Sequence, residues 1–412
     1  MGYQQGLSGL SASSNDLDVI GNNIANANTI GFKQSTAQFA DLYANTIATS
    51  VNDQIGIGTQ LSGVQQDFKQ GTFNTTGQAL NVAINGTGFY QMSNNGALTY
   101  SRNGVFQLDK NGYITNSEGL KLMGYAANTN GVINSAQTVP IQVPTTNIAP
   151  IATQNITATL NLNAQDTVPT VTPFSATNSQ TYNYSTSIQT YDSLGGSQQV
   201  NMYFVKTASN AWDVYSGPAS GAISKVGSVG FSTAGTLTST TASAPATSPS
   251  TGQLAFAIPN ADGSATPQSL TLDMSGTTQY GGKDGVTNLS QDGFASGELT
   301  NFAIGADGTI SGTYSNGRTQ SLGQIVLANF NNPNGLQNLG NNEFGETAAS
   351  GVPQISAPGS TNHGTLTGGA VENSNVDLTS QLFDLITAQR NYQANAQTIK
   401  TQQTVDQTLI NL

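Results

Sequence analysis

The chain ends on "VDLTSQLFDLITAQRNYQANAQTIKTQQTVDQTLINL", a stretch whose apolar residues recur at sevens. Leu378, Leu382, Leu385, Tyr392, Ala396 and Ile399 follow heptad spacing, with Gln389 and Gln403 in the skipped slots. Val405, Leu409 and Leu412 continue the stripe, while Asn375 or Ser374 is placed to cap the helix with Asp377 in its first turn. About 35 residues of helix reach about 50 Å. A stripe of that length, on one side and at a chain end, calls for another helix rather than a private core.

A matching stripe lies at the opposite end. The first 45 or so residues read as helical, with Leu7, Leu10, Leu17, Ile20, Ile24 and Ala27 at threes and fours or their sums and Gly21 as the weak point. The simplest closure packs the N-terminal helix on the C-terminal one, with further copies of the chain packing on both. In "DLDVIGNNIANANTIGFK" the residues Leu17, Ile20 and Ile24 make the seam. Asn22, Asn23, Asn26 and Asn28 are placed to bond neighbours or to end the helix near Gly31.

Between the two ends the texture is that of strands and turns. "SRNGVFQLDKNGYITNSEGLKLMGY" at 101–125 alternates strand-like runs with Asn-Gly pairs, the chemistry of β-hairpins. The same texture returns at 294–330, where Asp307-Gly308 and Asn316-Gly317 are the turn candidates. From about 146 to 288 the composition shifts to Thr, Ser, Ala and Pro, with strands in "TYNYSTSIQTYD", "QQVNMYFVK" and "AWDVYS". "STTASAPATSPSTG" at 239–252 reads as an exposed low-complexity loop. The fold class is therefore α+β: long terminal helices forming a coiled-coil-like inner domain, and two nested, discontinuous β-rich domains between them.

Charge narrows the partners. With 22 acidic and 11 basic residues among 412, the net charge of -11 repels a polyanion, so nucleic acid is not an expected partner. Only 8% of residues are charged, and the polar surface is carried by Asn, Gln, Ser, Thr and Gly. Cysteine is absent, which removes disulfides, thiolate nucleophiles and zinc-thiolate sites. No secretory signal pattern and no 18-residue apolar span is present, so membrane insertion is not expected, and the chain is expected either to be soluble or to use a non-cleaved export route.

No catalytic constellation emerges, and no cofactor or metal is expected. His363, the one histidine, sits in "STNHGTLTGG" and reads as an exposed loop residue. Asp109, Asp262, Asp284, Asp292 and Asp307 stand next to Gly or Asn as turn formers. "INGTGF" at 84–89 lacks the third glycine and the helix of a dinucleotide site and reads as a tight turn. Trp212 and the 14 tyrosines read as core or edge residues ahead of a sugar platform.

Two motifs carry a resemblance. "GLSGLSASSNDLDVIGNNIANANTIGFKQS" resembles the N-terminal signature of bacterial flagellar rod and hook proteins, and "NSNVDLTSQLFDLITAQRNYQANAQTIKTQQTVDQTLINL" resembles their C-terminal one. Length, "DFKQGTFNTTGQALNVAINGTGFYQM" at 67–92 and "LGQIVLANFNNPNGL" at 322–336 favour the hook branch, with the likeness weakest from about 225 to 290.

The resemblance implies a structural polymer subunit and no enzyme. Residues 1–30 and 370–412 would form an inner helical domain, with 31–70 and 364–369 as a connecting segment. Residues 71–145 and 289–363 would form a first β domain, and 146–288 an outer one. It implies self-assembly into a curved, flexible tube that carries motor torque from rod to filament. Its implied partners are further copies of the chain, the rod, a hook cap, hook-filament junction proteins and the flagellar export apparatus. The implied location is the extracellular flagellum. The alternatives are a stiffer distal rod protein and, from a different class, an extracellular β-rich glycan binder.

Overall fold

The computed structural model describes residues 2–42, 56–260 and 262–410, with backbone alone at 2, 409 and 410. The chain divides into two compact units, one of residues 1–145, 301–313 and 319–412 and the other of 146–300 and 314–318.

In the first unit, helix α1 (Gly2–Ala25) and helix α2 (Leu378–Ile410) pack on each other. The sequence pattern predicts helix to about residue 45, and less forms. The Asn26 side chain bonds the Asn22 carbonyl at 3.0 Å, and Gly31 turns the chain with φ +73°. Strand β1 (Ser35–Leu42) follows and pairs antiparallel with β2 (Gly58–Gln66), with a register shift between Gln38 and Phe39.

Beyond β2 the chain enters an antiparallel sheet through strands Phe89–Asn94, Ala97–Ser101 and Lys121–Ala126, joined later by Thr319–Ile325, Leu327–Asn329 and Glu343–Gly345. Phe89, Tyr100, Phe330 and Phe344 form a buried aromatic cluster with Phe68 against it, ring centroids 4.8 to 5.9 Å apart and edge to face. The outgoing and returning arms pair with each other: Phe73–Thr75 with Ala370–Glu372, and Val82–Asn85 with Thr365–Gly368.

The Asn-Gly pairs divide. Asn111-Gly112 does turn a hairpin, between Gln107–Leu108 and Ile114–Thr115, with Gly112 at φ +83°. Asn103-Gly104 does not. A Cβ on Gly104 would stand 1.6 Å from the Val82 carbonyl oxygen, so this glycine serves close backbone approach and not a turn. Gly308 and Gly317 adopt φ +81° and +78° as turn residues should, and "INGTGF" turns through Gly86 and Gly88 at φ +108° and +121°.

Asp307 illustrates how these turns respond to acid. The Thr309 hydroxyl and amide, at 2.7 and 3.0 Å, hold its carboxyl below the ordinary 3.8. The stability it contributes is present above pH 3.8 and is lost as pH falls through its folded value. Thr309→Val should therefore flatten the acid limb of the stability-pH curve, measured by urea unfolding from pH 6 down to pH 2.

The second unit is a sandwich. One sheet runs Gln253–Ile258, Gln268–Asp273, Asn155–Asn161, Gly285–Gln291, and the other is a five-strand meander from Tyr184–Tyr191 to Leu237–Ala242. Ile156, Leu160, Val200, Phe204, Val214, Leu254 and Leu272 alternate inward, each fully or almost fully buried. Trp212 sits among them with no exposure, its Nε1 donating to Gln279 Oε1 at 3.3 Å, so it offers no platform for a sugar.

The stretch at 239–252 is only partly the loop expected of it. Its first four residues finish strand Leu237–Ala242, which pairs with Ser224–Phe231, and Thr247 bridges Ala255. Threonine-rich sequence suits an edge strand, whose outer face stays in water.

Candidate subunit interface on the terminal helices

The two helices run antiparallel, and small or polar residues make their closest approach. A Cβ on Gly6 would lie 2.9 Å from Ile399, and one on Gly9 2.8 Å from the Asn395 amide. At the other end of the seam Asn23 Nδ2 donates to Gln381 Oε1 at 2.9 Å and to the Ser35 carbonyl at 2.7 Å. The Ser35 amide returns a bond to Asn23 Oδ1 at 2.9 Å, so Asn23 ties the helix pair to β1. On α1 the buried positions Gly6, Ser13 and Ile20 recur at sevens, and on α2 Gln381 and Ala388 do the same.

This seam is rotated from the one the apolar stripe predicts. Of the predicted interface residues, Ile20 is buried and Ile399 is half-buried in the seam against Gly6, whereas Leu10, Leu17, Ile24, Leu385 and Ala396 are half-buried beside it. Leu7, Leu378, Leu382, Tyr392 and Val405 face solvent, with Leu7 51% and Leu382 48% exposed. Leu409 lies in α2 with its side chain outside the described residues, and Leu412 lies outside them altogether. Small residues let the backbones close up, and large ones are displaced to the flanks.

Phe383, 68% exposed, and Ile386 join Leu378 and Leu382 in an apolar patch on the first turns of α2. Heptad reading passed over both because it assigned one stripe to one partner. A three-sided helix in a bundle carries several stripes, and runs such as "LFDLI" are the available signal. Among the described residues nothing covers this patch.

The start of α2 also differs from expectation. Asp377, not Asn375 or Ser374, is the cap: its Oδ1 accepts from the Thr379 and Ser380 amides at 2.8 and 3.2 Å. Asn375 instead bridges the connecting segments. Its Oδ1 accepts from the Gln34 amide at 2.8 Å, and its Nδ2 donates to the Asp67 and Lys69 carbonyls at 2.8 and 3.1 Å.

Electrostatics at the helix base is unusual for so uncharged a chain. Lys33 Nζ and Glu372 Oε1 form an ion pair at 2.7 Å with both side chains 1% exposed. Burial and the nearby Arg102 guanidinium pull the Lys33 ammonium below the ordinary lysine value, and Glu372 pulls the other way. Higher on the seam, burial and the Asp384 carboxylate opposite hold Asp16 above the usual aspartate range.

His363 stands in a polar turn without the partners of a catalytic base. His363 Nε2 donates to the Gln354 carbonyl at 2.9 Å, and its Nδ1 lies 3.1 Å from both Ser356 Oγ and the Thr361 carbonyl, with no carboxylate in that arrangement. Among the described residues no three of His, Asp and Glu gather to hold a metal ion, and no helix is long and apolar enough to cross a membrane.

Comparison with known proteins matches this sequence to a family. Profiles for the flagellar basal body rod protein match residues 4–33, for the flagellar hook protein FlgE/F/G D1 domain 83–163, for the flagellar basal body protein FlaE D2 domain 161–294, and for the flagellar basal body rod FlgEFG protein C-terminal 367–412. The flagellar hook protein FlgE of Escherichia coli is 42% identical over the full length of both chains. That of Salmonella typhimurium is 41% identical, again over both chains entire. The Treponema pallidum hook protein FlgE is 31% identical over 99% of this chain and 98% of its own. A crystal structure of Helicobacter pylori flagellar hook protein FlgE2 shares the fold over 71% of this chain and 98% of its own, with TM-score 0.51 and 14% identity.

Proposed function

The chain belongs to the flagellar hook protein family, and from that premise we infer how it works: as a structural subunit whose terminal helices are completed by other copies of itself. It is not an enzyme but a self-assembling component of the extracellular flagellum, acting with other axial proteins. The observation that carries the mechanism is the uncovered patch of Leu378, Leu382, Phe383 and Ile386 beside a seam already closed by small residues. Large apolar side chains left in water on a paired helix are positioned for neighbours.

In this reading Leu7, Leu10, Leu17, Ile20, Ile24, Leu378, Leu382, Leu385, Tyr392, Ala396, Ile399, Val405 and Leu409 divide their work. Some close the helix pair within a subunit, and the exposed ones join subunits around a central channel. Residues 31–70 with 364–369 connect to a first β domain of 71–145 and 289–363, and 146–288 forms a second. Rod, cap, hook-filament junction and export-apparatus contacts complete the partners.

Electron microscopy of polymer grown from the purified chain tests this. Curved tubes are expected. Straight, stiff tubes would assign the chain to the distal rod, and a failure to polymerise under any salt or seed condition would overturn the reading.

A further inference from the structure

Three separate stretches of the first unit meet at the buried ion pair below the helices. Lys33, eight residues past the end of α1, donates from Nζ to Glu372 Oε1 and to the Lys69 carbonyl, each at 2.7 Å. Glu372 Oε1 also accepts from the Gly71 amide at 2.8 Å, and the Glu372 carbonyl accepts from Gly31 at 2.8 Å. Arg102, 4% exposed, aims both terminal nitrogens at the Gly86 carbonyl at 2.9 and 3.0 Å. Its Nε and Glu372 Oε2 are buried without a protein partner. Two cations and one carboxylate are thus sunk where the chain leaves α1, enters the sheet and returns to α2.

We propose that Lys33 and Glu372 are positioning residues that make the docking of the two terminal helices on the sheet body one event. The two residues are 339 apart in sequence, so each arm brings one charge. A buried ion without its counter-ion is strongly unfavourable, so segment 31–34 docks poorly unless 370–375 has docked, and the reverse. A subunit presenting one helix in place and the other loose is thereby suppressed. The latch is a property of the monomer. Its value to assembly rests on the hook-subunit reading.

Hydrogen exchange on the full-length monomer tests it. Lys33→Met should speed amide exchange by at least about tenfold at 370–375 as well as at 31–34, and Glu372→Gln should do the same in both places. The double variant Lys33→Met with Glu372→Leu removes the pair, leaves Arg102 on its two bonds to the Gly86 carbonyl, and should be better protected in both segments than either single variant. Acceleration confined to the mutated arm, or a double variant no better protected than the singles, overturns the latch. If a single variant loosens the whole first unit, the double variant decides alone, and Trp212 fluorescence reports whether the second unit stays folded. A wild-type chain that shows coupled exchange and yet never polymerises would sink the hook reading and leave the latch standing.

Discussion

Leu382→Asp is expected to abolish polymerisation and leave the monomer folded. The side chain is 48% exposed and lies outside the α1–α2 seam, so the isolated subunit loses little packing. If the same position meets a neighbour in the polymer, as proposed, the substitution removes about 1 to 2 kcal/mol of apolar burial and buries a carboxylate costing several more. Because each factor of ten in affinity is about 1.4 kcal/mol, the critical concentration should rise by at least about 100-fold. Sedimentation gives that concentration, and far-ultraviolet circular dichroism checks the monomer. Polymer forming at the wild-type concentration would show that this patch faces solvent in the assembly. Leu385→Asp is the instructive contrast: half-buried beside the seam, it should loosen the helix pair in the monomer too.

Trp212→Ala should have the largest effect on the stability of any single part. The indole fills the centre of the second unit's sandwich with no exposure, and Lys206 Nζ lies 5.6 Å from its ring centre. Truncation leaves a cavity and takes away the hydrogen bond to Gln279, costing about 3 to 5 kcal/mol. Trp212→Phe keeps most of the volume and should lose less than half as much. Urea unfolding followed by tyrosine circular dichroism measures both, and the helix signal should be unchanged at the midpoint. A loss below about 1 kcal/mol for the alanine variant would mean that the sandwich collapses around the gap.

Much of this was legible in the residues. Apolar recurrence, at sevens in the C-terminal stretch and at threes and fours in the N-terminal one, placed both helices and their partnership, and Asn111-Gly112 and Asp307-Gly308 marked turns. What the pattern missed has a common physical cause. Apolar size is easy to read, but Gly6, Gly9 and Ser13 make the seam by being small, so the stripe pointed one residue to the side. Gly104 looked like a turn because sequence shows its missing side chain and not the carbonyl that needs the space. Lys33 and Glu372 were illegible as a pair because nothing local relates two charges at opposite ends of a chain.

The pairing of the two arms has a mechanical meaning. Phe73–Thr75 lies against Ala370–Glu372, and Val82–Asn85 against Thr365–Gly368, so the helices are not hung on two independent tethers. They stand on a hydrogen-bonded ribbon clamped at its foot. Cross-strand hydrogen bonds restrict the φ and ψ of both paired strands, which a single strand would leave free. Rotation imposed on α1 and α2 therefore reaches the sheet body through paired strands and not through either arm alone.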